Sequence, residues 1–388
     1  MNSFDSAGRS AIFFDETLVM LRDQVRRFVE TEIKPHAAAW EEQGFVPRAL
    51  LRRMGELGFF GIRYPEALGG SDLDQRASVV WAEELGRCTF GGVAITALVH
   101  TDMASVHIYN AGSEAQRADW LPRCICGEAI SAVAVTEPGA GSDVKGIAMR
   151  ARRDAGGWVL NGTKMFITNG VHADIYCVAA KTDPDARPSQ SVTMFLVSRD
   201  TPGFTVSRAL DKHGWRSSDT AELAFADLFV PDGDVLGREG SGFYEIMKNF
   251  QNERLVLGAM CMGEAQAALD LTLTYLHERR AFGAPLWDKQ AIRQRMATLA
   301  AQVEACRQFV YSTAARAAAG EDVVREVSMI KALAGELVNR VMYDCVQFHG
   351  GMGFMRESAI ERMSRDARVQ SIGGGATEVM LEEVAKRL

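Results

Sequence analysis

The spacing of the apolar residues changes twice along this 388-residue chain, and that order constrains the fold more than any other feature. From about residue 10 to 128 the spacing is helical: Leu18, Leu21, Val25 and Phe28 step by three and four, with Glu16, Asp23 and Glu30 on the other face. Turn signals at Gly44–Pro47, Tyr64-Pro65 and Gly69–Asp72 break the run, and further helices are predicted over 73–86 and 91–111. Near 130 short β-branched segments take over. Strands are predicted at Ile130–Val135, Ile175–Ala180, Thr193–Val197, Phe204–Val206 and Glu222–Val230. Trp158–Gly162 and Lys164–Thr168 read as a hairpin turning at Asn161-Gly162. From 241 to the end the chain is helical again and rich in Ala, Leu and Met. The predicted class is α+β: a helical unit over 1–129, a compact antiparallel barrel or sandwich over 130–240, and a helical unit over 241–388.

Charge and composition exclude several functions. Forty-three basic against 50 acidic residues leave −7, and no Lys/Arg-rich run interrupts them, which argues against a nucleic-acid face. No stretch approaches the roughly 18 apolar residues of a membrane span. The start, MNSFDSAGRS, has no basic segment followed by an apolar core, so no secretory signal is predicted. A cytoplasmic location is expected, or the mitochondrial matrix for a processed chain. The seven Cys are odd in number and fit no zinc spacing, so they read as core thiols in a reducing compartment. The chain has no G-x-G-x-x-G between strand and helix, no Walker loop, no G-x-S-x-G and no H-E-x-x-H. No metal site is expected.

Five segments carry candidate chemistry. Val133–Asp143 runs from a strand into a loop with Gly139 and Gly141, whose backbone N–H groups lie open to a ligand. Asn161–Gly170 sets Phe166 and Thr168 on one face of a strand, a ring and a hydroxyl suited to a flat heterocycle. Glu278–Gly283 closes a long helix, with Arg279 and Phe282 three apart on one helical face if the helix extends that far. Gln347–Gly353 places three Gly in four residues, either for close approach to a phosphate or for a tight turn between helices. Arg365–Glu378 holds Gly373, Gly374 and Gly375 before a last helix that starts at Thr377 and Glu378. Taken singly, each has an ordinary structural explanation.

Together and in this order, VTEPGAGSD, KMFITNG, ERRAFG, QFHGGMG and RDARVQSIGGGATEVM resemble the acyl-CoA dehydrogenase family over nearly the whole chain. The resemblance implies a helical domain, a middle β domain and a C-terminal four-helix bundle, usually as a homotetramer binding FAD. It implies α,β-dehydrogenation of an acyl-CoA thioester, with electrons passed to electron-transfer flavoprotein. By position, Val133, Val135, Thr136, Gly141 and Ser142 correspond to flavin contacts, and Ser142 also to a contact with the CoA portion. Phe166, Ile167 and Thr168 correspond to the cover of the isoalloxazine. Arg279, Phe282 and Gln290, with Gln347, Gly350 and Gly351, correspond to residues that hold the FAD of a neighbouring subunit. Ala376, Thr377 and Glu378 form the last flavin segment, Ala376 standing where the family usually has Thr. Gln251, Arg254 and Gly375 correspond to substrate contacts.

The reaction needs a carboxylate beside Cα, donors on the thioester oxygen and a hydride acceptor at Cβ. The family often carries its base as a Glu in the loop before the last helix, where this chain has Gly374. Long-chain and isovaleryl members carry it instead in a Glu-Arg pair early in the first C-terminal helix, and here that pair is Glu253-Arg254. The resemblance thus assigns the base to Glu253 and leaves Gly374 its backbone N–H as a donor. Acyl chain length stays open. So do two other readings on the same fold: an oxygen-using acyl-CoA oxidase or flavin monooxygenase, and a non-catalytic FAD scaffold.

Overall fold

The structure, a computed structural model, describes residues 12–388, and the leader reading of the first ten residues lies outside the described residues. The chain begins with α1 (Glu16–Phe28), α2 (Ala37–Gln43), α3 (Arg48–Glu56), α4 (Gln75–Gly86), α5 (Gly91–Leu98), α6 (Ser105–Ala111) and α7 (Glu114–Ile125). Local caps define several ends. Asp15 accepts the Leu18 N–H at 3.1 Å to start α1, and Ser113 with Gln116 forms a reciprocal capping box at α7. The helix expected over 91–111 is not continuous: a wider π turn, Val99–Ala104, separates α5 from α6.

The strands are β1 (Ser131–Ala134), β2 (Arg150–Asp154), β3 (Gly157–Thr168), β4 (Ile175–Lys181), β5 (Val192–Ser198), β6 (Phe204–Ala209), β7 (Thr220–Pro231) and β8 (Val235–Leu236). They form one eight-stranded sheet in the order β6-β7-β3-β2-β4-β5-β8, with β1 on β4. The pairing is mostly antiparallel, but β1 and β2 both run parallel to β4. β4 is buried on both faces. Ile175, Cys177 and Ala179 pack with Ile108, Leu121 and Ile125 of the helices, whereas Tyr176, Val178 and Ala180 pack with Trp158, Leu160 and Phe195.

The hairpin expected at Asn161-Gly162 lies elsewhere. β3 is one strand through that dipeptide, and the β2–β3 turn falls at Ala155-Gly156, where Gly156 supplies φ +75°. Asn161 instead exchanges hydrogen bonds with Asp227 at a bulge in the β3–β7 ladder. Gly162 is needed there because a side chain would meet Met149 at 2.7 Å.

The last unit holds α8 (Gly242–Glu278), the two-stranded hairpin β9 (Arg280–Ala281) and β10 (Ala284–Pro285), α9 (Gln290–Ala318), α10 (Val324–His349), α11 (Ala359–Ala367) and α12 (Thr377–Ala385). α8 packs against both α4 and α10, so one apolar core runs from Trp81 and Leu85 through Val256 and Met260 to Ile330. Polar ties fix the sheet to both helical units. Arg48 of α3 grips Asp174 in bidentate fashion at 2.6 and 2.8 Å, and Asp174 also accepts the Ile130 N–H. Asp366 of α11 accepts the N–H of Gly91 at 3.0 Å and of Trp215 at 2.6 Å. Six of the seven Cys are buried; Cys126, just past α7, is exposed and departs from the expected core placement. No helix among the described residues is long and apolar enough to cross a membrane.

Candidate active site

The start of α8 carries a polar run from Asn249 to Arg254, and the π turn explains where it points. Asn249 donates from Nδ2 to the backbone O of Asp102, at 3.2 Å, within that turn. The same amide donates to Glu253 Oε1 at 3.0 Å. Asn252 donates to the Asp102 carboxylate at 3.1 Å, which also accepts from Ser78 and Thr101. Glu253 is only 7% exposed. Burial pushes its carboxyl up to about 8; the Asn249 amide and the Arg254 charge oppose that, and Asp102 adds to it. Arg254 is buried beside the Phe250 ring, and its Nε has no partner among the described residues. A buried guanidinium N–H left unpaired is a donor available to a bound acceptor. Gln251 beside it is half-buried.

The glycine turn lies over the same stretch of α8. Gly374 has φ +66°, and a Cβ there would stand 2.4 Å from Cδ1 of Leu257, one turn beyond Glu253. Leu257 therefore fills the space that a side chain at 374 would take. The Gly374 N–H has no acceptor among the described residues. Gly375, at φ +107°, gives its carbonyl to Lys331 Nζ at 3.1 Å. Ala376 precedes α12, and Thr377 opens it with its hydroxyl donating to Glu336 at 2.9 Å. Glu378 is exposed in the first turn, where a carboxylate complements the helix dipole.

The strand-side segments also meet. Val133 lies in β1, with Val135 and Thr136 following it and Gly141 and Ser142 on an exposed loop. Thr136 O accepts the Met165 N–H at 2.9 Å. Buried Lys164 donates to Val135 O at 2.9 Å and to Glu137 at 2.8 Å, and Glu137 also caps the N–H groups of Ala148 and Met149. This ion pair pins the Val133–Ser142 segment to β3. Phe166 is 66% exposed at φ +61°, in a second bulge between Lys164 and Ile167. Phe166 and Thr168 still share the less buried side, with Ile167 buried between them, but the bulge rather than a regular pleat sets the ring's direction.

The expectation of a helical face for Arg279 and Phe282 is overturned. α8 stops at Glu278, Arg279 is extended, and Phe282 and Gly283 form a hairpin turn with φ of +53° and +82°. The run Ala-Phe-Gly-Ala-Pro ends the helix because Gly283 and Pro285 cannot continue it. The Phe282 ring is 94% exposed, Arg279 is exposed, and its guanidinium has no partner among the described residues. Gln290, exposed, begins α9 next to this hairpin. Gln347 lies in the last turn of α10, which ends at His349 before Gly350 and Gly351, around which a Cβ would find open space. The stacked rings of Tyr275 and His349 and the bond from Tyr275 Oη to His349 O tie these two groups together. No hydrogen bond among the described residues joins them to the Val133–Thr168 strands of the same chain.

Four residues of the candidate site escape a sequence reading: Asn249, the paired Lys164 and Glu137, and Lys331. The available signal was a polar residue at a position whose neighbours are apolar, as in Ser328–Ala334 around Lys331.

Comparison with known proteins agrees in extent and order. The chain matches the N-terminal, middle and C-terminal domains of acyl-CoA dehydrogenase over residues 15–128, 132–228 and 240–388. It is 38% identical over 372 residues to the mitochondrial long-chain specific acyl-CoA dehydrogenase of Sus scrofa, covering 95% of this chain and 86% of that one. It is 35% identical over 385 residues to the mitochondrial isovaleryl-CoA dehydrogenase of Arabidopsis thaliana, covering 99% and 94%. Its fold is similar to the crystal structure of an acyl-CoA dehydrogenase from Geobacillus kaustophilus, with a TM-score of 0.93, 40% identity and coverage of 97% and 98%. A further similar structure, PigA in complex with FAD, has a TM-score of 0.93 at 26% identity, covering 96% and 98%.

Proposed function

This chain belongs to the acyl-CoA dehydrogenase family of flavin oxidoreductases, and we propose that it converts a long-chain or branched acyl-CoA thioester to the trans-2-enoyl-CoA and passes the electrons to electron-transfer flavoprotein. The observation that carries this reading is the meeting of buried Glu253 with the Gly374 turn through Leu257. One residue supplies a carboxylate and the other a free N–H.

The residues present fit FAD. Arg279 offers an unpaired guanidinium, Gly350 and Gly351 leave room for close approach, and Phe166 and Phe282 present exposed rings. FAD, when bound, supplies the acceptor for the hydride from Cβ. Val133, Val135, Thr136, Gly141 and Ser142 would hold its flavin end, with Phe166 and Thr168 facing the ring and Ile167, buried in the sheet core, backing them. Ala376, Thr377 and Glu378 close the site, Ala376 without a hydroxyl to offer. Arg279 and Phe282 at the hairpin, Gln290 at the start of α9, and Gln347, Gly350 and Gly351 would serve the cofactor of a neighbouring subunit in a homotetramer.

The steps assigned to the protein are few. Gly374 N–H receives the thioester oxygen, and Ser142, Gln251, Arg254 and Gly375 hold the rest of the thioester portion. Glu253 takes the α-proton as the electron pair of that C–H bond moves toward the oxygen. A carboxyl near 8 is a stronger base than a solvated one, so burial favours the transfer. Anaerobic titration of the purified yellow protein with a panel of acyl-CoAs, read by flavin bleaching, tests the proposal. Bleaching is expected with long or branched CoA esters and not with the free acids; equal bleaching by free acids overturns it. Peroxide release at the turnover rate in air, with no faster turnover on an electron-accepting dye, would favour the oxidase reading.

A further inference from the structure

α10 buries an ammonium group that no carboxylate neutralises. Lys331 is 1% exposed, and no ion pair of its side chain exists among the described residues. Its Nζ donates to two backbone carbonyls, Gln370 O at 2.5 Å and Gly375 O at 3.1 Å. These carbonyls stand on the two sides of Gly374, and Cε lies 3.6 Å from where a Gly374 Cβ would be. The titratable and charged groups that act on the ammonium are Arg254 and Cys261 of α8 and Glu336 of α10. Glu336 is occupied by the Thr377 hydroxyl. Burying a cation without a counter-ion is costly, and a cell of carbonyls could have been closed by neutral donors.

We propose that Lys331 is a positioning residue for the dehydrogenation: it clamps both shoulders of the Gly373–Gly375 turn, so that the Gly374 N–H stays free for the thioester oxygen, and its charge lies behind that oxygen as negative charge gathers on it. The inference rests on the reading of Gly374 as the thioester donor given above. Together with Arg254 it places two buried cations around the enolate that proton transfer to Glu253 creates. A turn with φ of +66° and +107° at successive glycines has many alternative conformations, and the double carbonyl clamp selects one of them.

The test uses holoenzyme and a 3-oxoacyl-CoA, whose α-proton is acidic enough for the bound enolate to be followed by its absorbance against pH. Lys331→Met is expected to raise the pH midpoint for enolate formation by about one unit or more and to lower the flavin reduction rate about 10- to 100-fold. Substrate Kd should change by less than about threefold, because the N–H donor and CoA contacts remain. Lys331→Arg, which keeps the charge, is expected to recover part of both effects, and Lys331→Gln, which keeps a donor alone, to recover less. If Lys331→Met does not fold, the Arg and Gln variants carry the comparison. An unshifted enolate midpoint, or equal recovery by Gln and Arg, overturns the electrostatic role. Glu253→Gln run alongside separates the two readings: normal flavin reduction in that variant rejects the base, whereas the enolate midpoint of the Lys331 variants judges the clamp.

Discussion

Glu253 and Glu264 lie on the same helix, both are buried, and burial pushes both carboxyls up to about 8. The function proposed above uses only one of them. Glu253 is held by Asn249 and lies a turn from Leu257, against which the Gly374 turn rests with a free N–H. Glu264 faces a sealed junction of three units. Its Oε2 accepts from Gln370 at 3.2 Å, and Asp366 adds to the upward push. A Cβ on Gly91 would stand 3.1 Å from Glu264 Oε1 and 2.6 Å from Trp215 Nε1, which leaves no room for a substrate. A raised carboxyl therefore identifies burial, not a base. In the proposed reading, what sets the base apart is the glycine turn near it.

The comparison predicts its largest contrast in rate. Glu253→Gln should lower flavin reduction by acyl-CoA about 10²–10⁴-fold with ligand and FAD still bound, because the amide keeps size and polarity but takes no proton. Stopped-flow reduction of purified holoenzyme measures this, and a near-normal rate would place the base elsewhere. A second experiment moves the carboxylate to the other side of the site. Gly374→Glu alone should not rescue Glu253→Gln, because the new side chain meets Leu257 at 2.4 Å and sits at a φ of +66°. Adding Leu257→Ala opens the space, and about tenfold recovery is expected. Recovery without Leu257→Ala would show that the turn yields more easily than its packing implies.

The third effect is on pH dependence. Asn249 lowers the Glu253 carboxyl against the effect of burial, so Asn249→Ala should move the acid limb of kcat/KM upward by about one pH unit. An unmoved limb would mean that Asn249 only packs. The smallest expected effect belongs to Glu264. Glu264→Gln should leave flavin reduction within about twofold and alter stability instead. Both raised carboxyls, with Asp366 at about 7, keep protons in the folded chain that the unfolded chain releases. The stability contributed by these three groups then falls as pH rises from the ordinary carboxylate range through about 8. Removing Glu264 should make that fall shallower in melting temperature measured across pH, and an unchanged slope would contradict the sealed-junction picture.

How far this was legible in sequence depended on whether the signal was local. Helices and strands followed from apolar spacing, because Leu18 to Phe28 and Ile175 to Ala180 bury faces that their own period defines. Asn161-Gly162 misled because the dipeptide serves a bulge as well as a turn, and the choice was made by Asp227 on another strand. Arg279 and Phe282 misled because the helical period gives no warning of where Gly283 and Pro285 end it. Glu253 was assigned through family resemblance rather than through any period. Asn249 and Lys331 were invisible because each is oriented by a backbone carbonyl far along the chain, 147 and 39 residues away. The side chains that take part are written in the sequence; the carbonyls that orient them belong to the fold.

The distribution of thiols gives the molecule a built-in set of opening reporters. Cys126 is exposed, so a thiol reagent should count one group in the native chain and seven after denaturation. The six slow groups are spread over the whole structure: Cys88 and Cys124 among the first helices, Cys177 in the sheet, and Cys261, Cys306 and Cys345 in the last helices. Burial pushes the Cys88, Cys177 and Cys345 thiols up to about 12, so each stays unreactive until its own surroundings open. Peptide-resolved labelling over time would then rank the breathing of the helices and the sheet without any engineered probe.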